Sequence, residues 1–252
     1  RRRMKQPAVS SHAVSLLVIT GTDTGVGKTV ATAAIAAVAA GSGRRVAVLK
    51  PAQTGVAPGE PGDVDVVRQL AGAVTTREVR RYPDPLAPDT AARRSGLPPV
   101  TPAEAAAAAA ELAEQHDLVL VEGAGGLLVR MDEHGGTLAD VAWALAAPLI
   151  VVARAGLGTL NAPALTAEVA TRRGLTVAGV VVGSWPEQPG LAERCNLHDL
   201  PDAAGAPLLG VLPAGMGGLT GAEFADAAVA GLSPWFGGTF DPERFAEQVL
   251  GA

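Results

Sequence analysis

Covalent and membrane scaffolding are both scarce in this chain. Its one cysteine, Cys195, can form no internal disulfide, and only His198 stands near it, too few ligands for a structural metal site. Such economy fits a reducing cytoplasm. Basic residues are outnumbered, 20 against 25 acidic ones, so the net charge of −5 leaves no electrostatic footprint for duplex nucleic acid or anionic lipid, and small soluble ligands become the expected partners. The longest uncharged apolar run, residues 141–153, is broken by Pro148 and is too short to span a bilayer. Arg1, Arg2, Arg3 and Lys5 followed by apolar residues 13–19 imitate a signal peptide. However, the apolar core is at the short limit, no small-x-small site follows, and the stretch runs straight into a glycine-rich loop. Residues 1–11 lack apolar periodicity and read as a disordered arm or an artificial remnant. Charged side chains are also few, at 18%, against 48% hydrophobic residues over 252 positions, which excludes disorder as the main state and leaves ample material for a buried core.

What is present is a repeated alternation. Apolar runs of strand length occupy residues 14–19, 46–49, 118–121, 149–152, 177–182 and 208–212, and they are continuous and rich in β-branched residues, as strands buried on both faces are. Between them, residues 29–40, 64–71, 101–115, 138–146 and 160–173 have the Ala, Leu and Glu content of helices. The pattern predicts a doubly wound α/β fold with a mostly parallel sheet and helices on both faces, in a single domain over residues 12–252. Residues 51–62 and 82–99 read as two long loops. The alanine run 105–110 reads as a propensity-driven surface helix, and Trp143, Trp185 and Trp235 as packing residues.

Directly after the first strand comes Gly21-Thr22-Asp23-Thr24-Gly25-Val26-Gly27-Lys28-Thr29. A glycine-rich turn opening a helix aims backbone N–H groups at phosphates, Lys28 can reach the β- and γ-phosphates, and Thr29 can hold Mg²⁺. Five residues, rather than the usual four, separate Gly21 from Gly27. The strand ending in Val121 delivers Glu122 to the carboxyl edge of the sheet, where a carboxylate can meet the metal, and Gly123-Ala124-Gly125-Gly126 follow. Asp63 and Asp65 open the helix at 64–71, where one can cap it and the other can reach the metal. Lys50, held extended by Pro51 at the end of the second strand, adds a second cation beside the phosphate loop, with Thr54 and Gly55 in reach.

Together with Lys50-Pro51-Ala52-Gln53-Thr54-Gly55, Val121-Glu122-Gly123-Ala124-Gly125-Gly126 and Leu157-Gly158-Thr159-Leu160-Asn161, the loop Thr20–Thr29 resembles the dethiobiotin synthetases over about residues 16–213. The five-residue spacing is that family's own form of the P-loop NTPase motif. The resemblance implies an ATP- and Mg²⁺-dependent cyclo-ligase of biotin biosynthesis. 7,8-Diaminononanoate takes up CO₂ as a carbamate, the carbamate is phosphorylated, and the second amine closes a ureido ring. It further implies that Thr24, Gly25, Val26, Gly27, Lys28, Thr29 and Val30 cradle the nucleotide with Glu122 and Gly125. Lys28 and Lys50 would be catalytic, and Thr54 would join Lys50 at the carbamate end. The metal would be held by Thr29, Asp63 and Glu122, Asp63 being favoured over Asp65 by counting back from Leu70-Ala71-Gly72.

Leu157, Gly158, Thr159, Leu160 and Asn161 follow a strand and open a helix, so their N–H groups form an anion cradle, with Thr159 placed to cap. By the resemblance this turn receives the far carboxylate of the partner's substrate in a homodimer. Where the resemblance implies an adenine-reading Asn, the chain has Gly183 and Ser184, and only backbone there and at Pro213 and Gly215 remains to meet the base, so other nucleoside triphosphates are expected alternatives to ATP. Partition-type ATPases need an extra lysine where Thr22 and Asp23 stand, a GTPase needs Asn-Lys-x-Asp where Gly183-Ser184-Trp185 stands, and a cobyrinate-type amidase needs an attached glutaminase for which there is no room.

Overall fold

Strands and helices alternate over most of the described residues. In the computed structural model, which describes residues 15–250, the chain runs β1 (Ser15–Gly21), α1 (Lys28–Gly41), β2 (Val46–Thr54), α2 (Asp63–Ala71), β3 (Thr75–Tyr82), α3 (Pro88–Ser95), α4 (Pro102–Ala113) and β4 (Leu118–Gly126). It continues through α5 (Leu138–Ala144), β5 (Leu149–Ala153), α6 (Asn161–Arg172), β6 (Val177–Trp185), α7 (Leu191–Ala204), β7 (Leu208–Pro213), α8 (Gly221–Gly231) and α9 (Pro242–Leu250). The arm expected over residues 1–11 lies outside the described residues. Among the described residues no helix is long and apolar enough to cross a membrane.

The seven strands form one parallel sheet in the order β3-β2-β4-β1-β5-β6-β7. From central β1 the chain moves out to β2 and β3, returns through β4, then crosses to β5, β6 and β7, so the order reverses around β1. In such sheets the crevice at the carboxyl ends beside the reversal is where ligands bind. The continuous apolar runs are explained by burial on both faces. Leu17 and Ile19 pack with α1, α2 and α8, whereas Val18 faces the opposite layer containing α3, α4 and α5. Alanine dominates α1 because nearly all of it is buried, and small side chains let it lie close to the sheet. The alanine run of α4 is less exposed than expected: Ala105, Ala108 and Ala109 are buried, and Thr101 with Glu104 forms a reciprocal capping box at its start.

Three sequence expectations need correction. Strand β3 was hidden because Thr75–Tyr82 carries four charged residues; as an edge strand it pairs only with β2, and its Arg77 and Arg80 reach Glu111 and Glu104 on α4. The segment 82–99 is not all loop, since α3 lies within it, begun by Pro88 in its first turn and closed by Gly96 at φ 66°. The loop expected from residue 51 begins later, because β2 runs on to Thr54. Pairing of β2 with β4 stops at Leu49↔Val121, so Pro51 sits on a stretch paired on one side only, where its missing N–H is tolerated.

The phosphate loop is seated on β6 by glycine against glycine. A Cβ on Gly183 would collide with the Val26 carbonyl oxygen and stand 3.1 Å from the Gly27 Cα, while one on Gly27, at φ 94°, would come within 2.5 Å of the Gly183 carbonyl oxygen. Gly183→Ala should therefore overpack this contact and destabilise the fold by about 1–3 kcal/mol. The denaturant midpoint should fall while nucleotide KM rises, and an unchanged KM would mean that the loop does not depend on this seat.

Candidate functional site

Five side chains converge where β2 and β4 part. Lys28 begins α1 and folds back over its own loop, its Nζ donating to the Asp23 carbonyl at 2.9 Å. Thr29 donates its hydroxyl to Glu122 Oε1 at 2.9 Å. Lys50, only 3% exposed, donates to Glu122 Oε1 at 2.9 Å and to the Gly123 carbonyl at 3.1 Å, and lies 2.5 Å from Asp63 Oδ2. Its three ammonium hydrogens are thereby all engaged. Burial pushes Lys50 down, but the Glu122 and Asp63 carboxylates outweigh it and hold the group above the ordinary lysine value. Burial, then the nearby Lys50 charge, push Lys28 below that value despite Glu122 and Asp63.

The two aspartates that open α2 have separate tasks. Asp65 accepts the Gly62 N–H at 2.8 Å and pairs with Arg68, which caps the helix, whereas Asp63 faces Lys50 and its own N–H donates to Gln53 Oε1 at 2.8 Å. Gln53, assigned no role from the sequence, thus fixes where Asp63 stands. Glu122 is 1% exposed, and its Oε2 is buried without a hydrogen-bond partner among the described residues. An ionised oxygen left bare in the interior is costly unless a cation completes it.

These groups border one cavity of about 830 Å³, lined also by Thr24, Gly25, Gly27, Val30, Thr54 and Gly125. Part of the cavity wall comes from the segment 82–99 that was expected as a long loop: Pro85, Leu86 and Ala87 before α3, and Pro88 at its first position. Not every expected residue lies there. Val26 is buried in the core beneath the loop, and Gly123 owes its lack of a side chain to packing, because a Cβ would strike Leu138. Gly183 is spent on seating the loop; Ser184 and Pro213 are exposed at the ends of β6 and β7, and Gly215, at φ 79°, precedes a turn whose Gly217 approaches Val30. Leu157, Gly158, Thr159, Leu160 and Asn161 follow β5 outside the cavity. Thr159 does not cap α6. Its hydroxyl donates to the Arg154 carbonyl at 2.7 Å, and the cap position falls to Leu160 without a side-chain bond. Trp185 and Trp235 pack as expected, each edge-on to a phenylalanine, but Trp143 is 71% exposed.

Proteins called ATP-dependent dethiobiotin synthetase BioD from Streptomyces avermitilis and Saccharopolyspora erythraea are 65% and 68% identical to this chain, over 94% and 89% of it and 100% and 98% of their own lengths. The chain belongs to the dethiobiotin synthetase family. A family model described as an AAA domain matches residues 15–216. Among solved structures, the cell division protein FtsY of Thermotoga maritima superposes with a TM-score of 0.56 at 18% identity, covering 98% of this chain and 72% of that one. The cell division ATPase MinD of Pyrococcus furiosus gives 0.50 at 15%, covering 79% and 83%. At such identities the likeness is one of fold, the P-loop NTPase fold, and of nothing finer.

The bare Glu122 Oε2 is the test of whether a dethiobiotin synthetase metal fits here. Two carboxylates and one hydroxyl at the rim of a phosphate cavity are the hard oxygen donors that Mg²⁺ takes alongside nucleotide phosphates and water. Glu122→Gln keeps the shape and loses the charge, and Asp63 remains to neutralise Lys50. The fold should persist while the Mg²⁺ concentration for half-maximal activity rises at least about tenfold. An unchanged Mg²⁺ titration would remove Glu122 from the metal set.

Proposed function

We propose that this chain makes dethiobiotin from 7,8-diaminononanoate, CO₂ and a nucleoside triphosphate. The observation that carries the reading is the meeting of Lys28, Lys50, Thr29, Asp63 and Glu122 around one cavity at the switch point of the sheet. One amine of the substrate captures CO₂ and releases a proton; the carbamate oxygen then attacks the γ-phosphorus and the nucleoside diphosphate departs. The second amine next attacks the carbonyl of the carbamic-phosphoric anhydride, expelling phosphate and closing the urea. An anionic carbamate must thus approach an anionic phosphate, which is a problem of charge before it is one of bonding.

Lys28 and the N–H groups of the loop hold the transferring phosphoryl group. Lys50 binds the carbamate, and to do so it gives up one of its three partners. Asp63, whose side chain is 33% exposed against 2% for Glu122, is the one it releases. Thr54 borders the same cavity. Thr29, Asp63 and Glu122 would hold Mg²⁺, which would neutralise phosphate charge and draw electrons from the γ-phosphorus. The carboxylate turn serves the site of a second copy in a homodimer. It stands outside its own chain's cavity, and Leu157, 94% exposed, and Leu165, 54% exposed, offer apolar surface beside it for another subunit to cover.

Incubation with diaminononanoate, bicarbonate, Mg²⁺ and ATP should yield the cyclic urea by mass, and Lys28→Ala and Lys50→Ala should each cut turnover by about a hundredfold or more. Lys50→Ala should also raise the bicarbonate requirement. Near-normal turnover of Lys50→Ala at low bicarbonate would remove it from carbamate capture, and phosphate release equally fast without the diamine would favour an ATPase switch.

Base choice should be loose. Ser184 has no paired amide donor and acceptor, and the Ala214 N–H is already committed to the Trp185 carbonyl at 2.7 Å. Each neutral hydrogen bond forfeited costs up to about tenfold in selectivity, so GTP, CTP and UTP should each support the reaction within about two orders of magnitude of ATP in kcat/KM. Preference for ATP above about a thousandfold would show that backbone alone reads adenine here.

A further inference from the structure

A cradle of backbone N–H groups can face an anion only if the carbonyls of the same segment turn the other way and find donors there. After β5 three consecutive carbonyls do so. The Arg154 carbonyl accepts the Thr159 hydroxyl at 2.7 Å. The Ala155 carbonyl accepts Asn196 Nδ2 at 2.7 Å, and the Gly156 carbonyl accepts the same amide nitrogen at 3.1 Å and the Thr159 N–H at 3.2 Å. Asn196 and Thr159 are 6% and 7% exposed, so both point their polar atoms inward. The N–H groups of Leu157, Gly158, Leu160 and Asn161 donate to nothing among the described residues, and Gly158 makes the turn at φ 87°. The first turn of α7 closes the back of the segment: the Glu193 carboxylate stands 2.8 Å from where a Cβ on Gly156 would be. Asn196 comes from a helix forty residues further along the chain, and no motif in the sequence marked it.

We propose that Asn196 is a positioning residue for recognition of the substrate carboxylate. With Thr159 it holds the 154–156 carbonyls inward, so that four N–H groups are presented together to the anionic end of the diamino acid. The proposal rests on the reading that this turn takes that carboxylate. It assigns to Asn196 no contact with substrate, nucleotide or the reacting atoms.

The test compares 7,8-diaminononanoate with 2,3-diaminononane, the same diamine with a methyl in place of the carboxylate, on the full-length enzyme. The wild type should prefer the acid. Asn196→Ala should raise KM for the acid about tenfold or more, with kcat, the KM for ATP and the kcat/KM for 2,3-diaminononane held within about twofold, so that the preference collapses. Thr159→Val should lose the preference in the same way and Thr159→Ser, which keeps the hydroxyl, should retain it; this pair decides the matter if Asn196→Ala does not fold. A wild type without preference would overturn the carboxylate reading of the turn, and the proposal with it. A preferring wild type whose folded variants still prefer the acid, or lose both substrates equally, would leave the carboxylate reading standing and overturn the role of Asn196.

Discussion

Taking an ammonium and a carboxylate out of water costs on the order of several kcal/mol per ion unless each charge finds partners in good geometry. Lys50 meets that condition with Glu122, Asp63 and the Gly123 carbonyl, and the position of the whole site depends on it. The cluster sits where β2 and β4 cease pairing after Leu49↔Val121, and the next residue of each strand, Lys50 and Glu122, meets the other there. Thr29, at the start of α1, bonds the same Glu122 oxygen, so the phosphate loop is registered against β4 by a polar contact as well as by the sheet. The second Glu122 oxygen, buried and bare, is the one place where the cluster asks for another cation.

Rigidity beneath the loop comes from the absence of side chains. Gly27 and Gly183 approach so closely that neither tolerates a Cβ, and Val26 is buried in the core between them and the helix layer. A glycine in such a position is chosen for packing, which is a different demand from reading a base. The carboxyl edge is therefore divided: β1, β2 and β4 lead to the cavity with its lysines and carboxylates, β6 and β7 supply a seat and an exposed rim, and β5 leads into the proposed cradle, braced from α7.

The bracing of that cradle and the caging of Lys50 follow the same rule. In each case a buried polar group fixes the direction of another: Gln53 sets Asp63, Glu122 sets Lys50 and Thr29, and Asn196 sets the carbonyls behind the turn. Preorganisation of this kind holds charge and donors where they are needed before any ligand arrives.

By itself the sequence determined the alternation of buried strands and helices, the phosphate loop, and the presence of Lys50 and Glu122 at strand ends, because these are written in local patterns of apolar runs, glycines and terminal charges. It left Asp63 and Asp65 open, since both begin the same helix; only the fold separates them, giving Asp65 the Gly62 N–H and Asp63 the Lys50 charge. Strand β3 escaped notice because this edge strand carries four charged residues and no continuous apolar run, and α3 because a short polar helix has little apolar signal. Asn196 and Gln53 were beyond reach for another reason. What each does depends on a contact outside its own element, the Ala155 carbonyl 41 residues before Asn196 and the Asp63 N–H 10 residues after Gln53, and no local pattern encodes such a contact.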